Sequence, residues 1–147
     1  MYKKILVATD GSALSKKAVN SAIVMAALME AELVALKVVA RYPQSYFEGG
    51  LAFEASEINR VEKAWVDHGQ AIVDAVQKSA EAKGVKTKAV TVKSDVISDA
   101  IIAAAKKHTC DLIVMASHGR QGLKRVLLGS ETQQVLTHTH VPVLVLR

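Results

Sequence analysis

Leu112-Ile113-Val114-Met115-Ala116-Ser117-His118-Gly119-Arg120-Gln121-Gly122-Leu123-Lys124-Arg125-Val126-Leu127-Leu128-Gly129-Ser130 runs from an unbroken apolar segment through a basic, glycine-containing loop into a helical pattern. A strand buried on both faces reads as a continuous apolar run, which is the mark of a parallel sheet covered by helices. The glycines after it let the backbone approach a ligand closely. A helix opening near Ser130 would aim its N–H groups and positive dipole end into the loop, where Arg120, Lys124 and Arg125 add positive charge. The stretch therefore reads as strand, anion-holding loop and helix. An ordinary surface turn with a solvated basic face is the alternative it leaves open.

The same alternation extends in both directions along the chain. Lys4-Ile5-Leu6-Val7-Ala8 reads as the first strand, and Ser12 or Ser15 as the N-cap of a helix carrying Ala18, Ala22, Met25 and Met29 on its apolar stripe. Leu33 to Val39 reads as the second strand. Arg41 to Phe53, broken by Pro43 and Gly49-Gly50, reads as a long loop or lid. A long amphipathic helix follows, with Ile58, Val61, Trp65, Ile72 and Val76 on one stripe. Trp65 is expected as a core anchor and Gly84 as the residue just past the helix end. Lys88 to Val92 reads as the third strand, and Ser94 or Asp95 as the cap of a helix bearing Val96, Ala100, Ile101 and Ala104. Leu112 to Ala116 is the fourth strand, Ser130 to about Thr137 a helix, and Val141 to Leu146 the last strand. Strands alternating with helices predict one α/β domain: an open, twisted, five-stranded parallel sheet with helices on both faces, Rossmann-like in architecture.

Composition narrows the partners. The 147 residues carry a net charge of +5, with aromatics at 4%. The lysines are dispersed and few aromatics interleave them, which points to small anions rather than nucleic acid. Cys110 is the one cysteine and precedes an apolar run, so it reads as a small buried residue in a cytoplasmic, reducing setting. The apolar run Ile5 to Val7 is too short for a signal-peptide core, and the longest apolar stretch elsewhere, Ala22 to Met29, too short for a membrane span.

Ligands of open α/β sheets bind beyond the carboxyl ends of the strands, where strand order reverses. That rule selects Ala8-Thr9-Asp10-Gly11-Ser12 after the first strand and the glycine loop after the fourth, facing each other if these strands are neighbours. Asp10 is placed to hold a ribose hydroxyl or a phosphate-bound Mg²⁺, with a turn or capping role as the alternative. The chain has no G-x-x-x-x-G-K-[ST], no G-x-G-x-x-G, no G-x-S-x-G and no H-E-x-x-H. His138 and His140 lack further ligands nearby in sequence and read as structural or solvated. His118 reads as a loop-fixing hydrogen-bonding residue, and no catalytic residue is evident.

Taken together, Ile5 to Ser12, Asp111 to Arg120, Leu127 to Ser130 and Val141 to Val145 resemble the universal stress protein family over essentially the whole chain. Ala116, then Gly119, then nine residues to Gly129-Ser130 is similar to the motif of its ATP-binding branch, with the first glycine replaced by Ala116. The resemblance implies a single universal stress protein domain over residues 1–147, an adenine nucleotide alpha hydrolase-like fold, and ATP or AMP as ligand, with Mg²⁺ at Asp10 through the nucleotide. By it, adenine and ribose lie against Ala8, Thr9, Asp10, Val38, Met115 and Ala116. The phosphates lie along Gly119, Arg120, Gly129, Ser130, Glu131 and Thr132, and Gly11 shapes the first turn. A regulatory stress-response role follows, with at most slow ATP hydrolysis, and a homodimer through Val141 to Leu146. A dimer acting through protein contacts without nucleotide, and an adenine-nucleotide enzyme on the same architecture, are the other readings.

Overall fold

Alternation along the first strand explains the layers: Ile5 and Val7 face one hydrophobic cluster while Leu6 faces another, and all three are fully buried. The computed structural model describes residues 1–43, 55–119 and 128–147. Most of the expected Arg41 to Phe53 loop, and Arg120, Lys124 and Arg125, lie outside the described residues. The described elements run β1 (Lys4–Ala8), α1 (Ala13–Met29), β2 (Glu32–Val39), α2 (Ala55–Glu81), β3 (Thr87–Lys93), α3 (Ile97–Lys107), β4 (Leu112–Ala116), α4 (Ser130–His138) and β5 (Val143–Leu146). They form one sheet of order β3-β2-β1-β4-β5, every pair parallel, so strand order reverses between β1 and β4. The fold is the expected one.

The first cluster joins Ile5, Val7, Leu33, Ala35, Leu112 and Val114 to the inner stripes of α1 and α2. The second joins Leu6, Val34, Leu36, Val38, Ile113 and Met115 to Ala100, Ile101 and Ala104 of α3 and Val135 of α4. In α1 the expected stripe is present: Ala18 and Ala22 are buried, and Met25 and Met29 pack against them. Cys110 lies in the second cluster, and burial pushes its thiol up to about 11, which leaves it a packing residue rather than a nucleophile.

Three helices re-enter the sheet through one kind of turn. Ala31 N–H donates to Ala26 O at 2.9 Å, Val85 N–H to Ala80 O at 3.0 Å and Cys110 N–H to Ala105 O at 2.8 Å. The residue between helix and acceptor strand takes positive φ each time: Glu30 at 54°, Gly84 at 77° and Thr109 at 54°. At the α2 end a second bond, Gly84 N–H to Glu81 O at 2.9 Å, completes a Schellman motif, as the position of Gly84 implied. A bond of the same kind runs from Thr109 N–H to Lys106 O at 3.1 Å.

Three local expectations are corrected. Trp65 is not a core anchor: it is 39% exposed and stacks on Tyr42 with ring centroids 6.0 Å apart. The buried residues of α2 begin at Gly69. A helix of 27 residues rises about 40 Å, whereas the seven residues of β3 span about 23 Å, so its N-terminal half outruns the sheet. Neither Ser94 nor Asp95 caps α3. Ser94 Oγ takes the Val96 N–H at 3.1 Å in a turn of its own, and Val96 becomes an N-cap with no side-chain bond and half its surface exposed. The last strand begins at Val143 rather than Val141, because Val141 N–H is held by Thr139 Oγ1 at 3.0 Å. Pro142 still joins the ladder through its carbonyl, which accepts from Ile113 N–H at 2.9 Å.

Candidate functional site

At the carboxyl end of β1, Thr9 N–H extends the pairing with β2 by donating to Leu36 O at 3.0 Å. The chain then turns at Gly11, whose φ of 80° suits a residue without a side chain. A line of hydroxyls fixes this turn from inside. Gly11 N–H donates to Thr9 Oγ1 at 3.2 Å, Thr9 Oγ1 meets Ser15 Oγ at 3.0 Å, and Ser15 Oγ donates to Ser12 O at 2.9 Å. Since the Ser15 proton is used on Ser12 O, the Thr9 hydroxyl is the donor in the middle link. Ser12 is the N-cap of α1, its Oγ accepting Ser15 N–H at 3.2 Å. Asp10 does not cap the helix: its Oδ1 accepts Ser12 N–H at 2.9 Å in an Asx turn, and its other oxygen points toward the second loop.

At the end of β4 the chain is tied on both sides. Ser117 N–H donates to Leu146 O of β5 at 2.7 Å, and Gly129 N–H donates back to Ser117 O at 2.7 Å. Gly129, the N-cap of α4, has no side chain with which to cap it. A Cβ there would stand 3.1 Å from His118 Cα and 3.2 Å from Ser117 O, so any side chain would have to push the two backbone segments apart by a few tenths of an ångström. Thr132, 2% exposed, donates its hydroxyl to Ala116 O at 3.0 Å, with Ser117 O at 3.2 Å, and locks the first turn of α4 onto the strand exit. Ser130 Oγ donates to Glu131 Oε2 at 2.9 Å. His118 Nδ1 lies 3.2 Å from Ser117 Oγ, the loop-fixing contact expected of it.

The two loops meet. A Cβ on Gly119 would be 2.9 Å from Asp10 Oδ2, so the carboxylate after β1 and the glycine after β4 occupy adjoining positions across the reversal of strand order. Val38 and Met115 share the second cluster, with Ala8 packed against it, so three of the residues assigned to the base lie on one face of the sheet. Val38 O accepts from Lys37 Nζ at 2.9 Å. Ala116 is buried at the strand end, while Gly119, Ser130 and Glu131 are exposed. Arg120 lies outside the described residues.

Thr9 and Thr132 were assigned to ligand contact, yet both hydroxyls are committed within the protein. Sequence reasoning did not single out Ser15 or Ser117 as partners in these networks. The three-residue step from Ser12 to Ser15 was the available signal for the first. His138 Nδ1 lies 2.9 Å from Gln134 O, one helical turn back, and no cluster of three metal-ligating side chains occurs among the described residues. No helix among them is long and apolar enough to cross a membrane.

Comparison with known proteins gives concordant results. The pattern of the universal stress protein family matches residues 1–147. Universal stress protein MJ0531 of Methanocaldococcus jannaschii is 37% identical over 147 residues, covering 100% of this chain and 83% of that protein. Among solved structures, MJ0577, from the same organism, superposes with a TM-score of 0.84 at 29% identity, covering 99% of this chain and 96% of that one. A universal stress protein solved in complex with cAMP gives 0.71 at 26% identity, covering 99% and 97%. The chain belongs to the universal stress protein family.

Proposed function

We propose that this chain binds an adenine nucleotide, ATP or AMP, at the loops after β1 and β4 and serves as a regulatory stress-response protein. The observation that carries the reading is the meeting of Asp10 with Gly119, close to an α4 N-terminus that Gly129 holds against the exit of β4. The two glycines let the loops after β1 and β4 pack closely together, and a helix N-terminus favours the negative charge of phosphate. Val38, Met115 and Ala8 offer apolar contact to a base, Asp10 a carboxylate to ribose or nucleotide-bound Mg²⁺, and Ser130 and Glu131 the first turn of α4 to phosphate. The relative solved with cAMP supports the ligand class.

Without a G-x-x-x-x-G-K-[ST] run there is no P-loop lysine for the phosphates, and the His118 ring is engaged with Ser117. We therefore read the protein as a nucleotide-responsive binder with at most slow hydrolysis. The response would reach a second copy through β5, an edge strand uncharged from Val143 to Leu146, of the kind that invites pairing. Mass spectrometry of ligand released from protein purified without added nucleotide, followed by calorimetry with ATP and AMP, tests the binding. Saturable adenine-nucleotide binding is expected, and an absence of heat or displacement at millimolar concentration overturns it. Sedimentation of the wild type and of Val143→Lys tests the dimer, expected to dissociate in the variant.

A further inference from the structure

The opposite end of the sheet carries a second feature, which the loops after β1 and β4 do not touch. A cleft of about 360 Å³ opens where β1, β2 and β3 begin and α3 ends, within the size range of small-molecule sites. Its walls hold Lys4, Lys86, Lys88, Lys107 and His108 around one carboxylate, Glu32. The register sets this grouping, since Lys4 lies beside Glu32 and Val34 beside Lys88. Glu32 already bridges two of the cations, with Lys4 Nζ at 3.2 Å and Lys86 Nζ at 2.7 Å. Among the described residues, Lys88 and Lys107 make no ion pair.

His108 registers the imbalance. Its pKa lies below the ordinary value, first from burial and then from the positive charges of Lys88, Lys107 and Lys4. The groups facing it are Lys4 from β1, Glu32 from β2, Lys86 just before β3, Lys88 from β3 and Lys107 from the end of α3. Lysines converging on a concave surface from β1, from β3 and the residue before it, and from α3 raise the local concentration of a multiply charged anion. Among the described residues no Phe, Tyr or Trp lines the cleft to take a base, and its concavity does not suit a flat lipid surface.

We propose that this cleft binds a condensed phosphate chain, of the pyrophosphate or tripolyphosphate class, spanning Lys4 and Lys86 on one side and Lys88 and Lys107 on the other. Glu32 then acts against the ligand, and the charge changes on the two sides have opposite expected signs. Tripolyphosphate titration followed by amide and imidazole NMR should shift Lys86, Lys88 and His108 and raise the His108 titration midpoint. The double variant Lys88→Gln/Lys107→Gln should weaken binding roughly tenfold, at about threefold per exposed charge. Glu32→Gln should tighten it about threefold, which an unfolded or damaged protein would not do. Orthophosphate serves as the singly bridging control and should bind more weakly. Shifts confined to Gly129 through Thr132, no shift at millimolar tripolyphosphate, or equal affinity across the three proteins overturns the proposal.

Discussion

Asp10 Oδ2 stands 2.9 Å from the point at which a side chain on Gly119 would begin. The distance is shorter than a methyl carbon tolerates, and the neighbour is the end of a side chain rather than backbone. Gly119→Ala should therefore displace the carboxylate while leaving the fold intact. Since Asp10 Oδ1 also holds Ser12 N–H, the displacement should loosen the β1 turn as well. The expected result is a loss of about 1 kcal/mol of stability at most, with a larger fall in nucleotide affinity, about tenfold, by calorimetry.

Asp10 and Ser12 separate ligand binding from helix capping. Ser12→Ala removes the α1 cap and should cost about 1 kcal/mol in urea unfolding, with nucleotide affinity within twofold of wild type. Asp10→Asn keeps an acceptor oxygen for Ser12 N–H, so the melting temperature should hold while affinity falls, most clearly with Mg²⁺ present. Loss of stability without loss of affinity in Asp10→Asn would reduce Asp10 to a turn residue.

Thr109 is a β-branched residue at a φ of 54°. The left-handed region costs such a residue about 1–2 kcal/mol, and glycine gives back about 0.5–1 kcal/mol of that in unfolded-chain entropy. Thr109→Gly should thus stabilise the protein by up to about 1 kcal/mol, read as a higher denaturation midpoint.

Asp111 predicts a pH dependence. Burial raises its carboxyl, but backbone N–H groups of Lys3 and Lys4, at 2.9 Å and 3.0 Å for the closest contacts, outweigh that and hold it below the ordinary value. A depressed folded pKa contributes stability that is fully present above the unfolded value, near 4, and is lost as pH falls through the folded one. Asp111→Asn should be less stable than wild type at pH 6, and the gap should narrow by pH 3 in urea titrations.

How far the sequence could be read depended on whether a signal was local. β1 and β4 were legible to the residue because a strand covered on both faces is a nearly unbroken apolar run, broken in β1 only by Lys4 at its start. Gly84 was legible because a helix end needs positive φ. The pairing of the two site loops followed from topology alone. Trp65 was misjudged because periodicity gives the face of a helix but not the extent of the sheet beneath it. Ser94 and Asp95 were misjudged because either could cap, and a turn at Ser94 intervened. The inward hydroxyl of Thr132 depends on carbonyls of the β4 exit brought near by the fold, and that of Thr9 on the Ser15 hydroxyl at the start of α1, and neither contact is written in the composition of its own segment.

The repeated re-entry turns after α1, α2 and α3 give the molecule two ends with different freedoms. At one end the three turns are closed by main-chain bonds onto a buried alanine, with a buried residue following, so an inserted or deleted residue would misalign a core strand. At the other end two connections, residues 40–54 and 117–129, are longer, and among the described residues side chains such as Thr9 and Thr132 share the work of tying the chain down with main-chain bonds such as Gly129 N–H to Ser117 O. Lineages could therefore exchange whole ligand loops at that rim as modules, retuning what is bound while the register of the sheet is inherited unchanged.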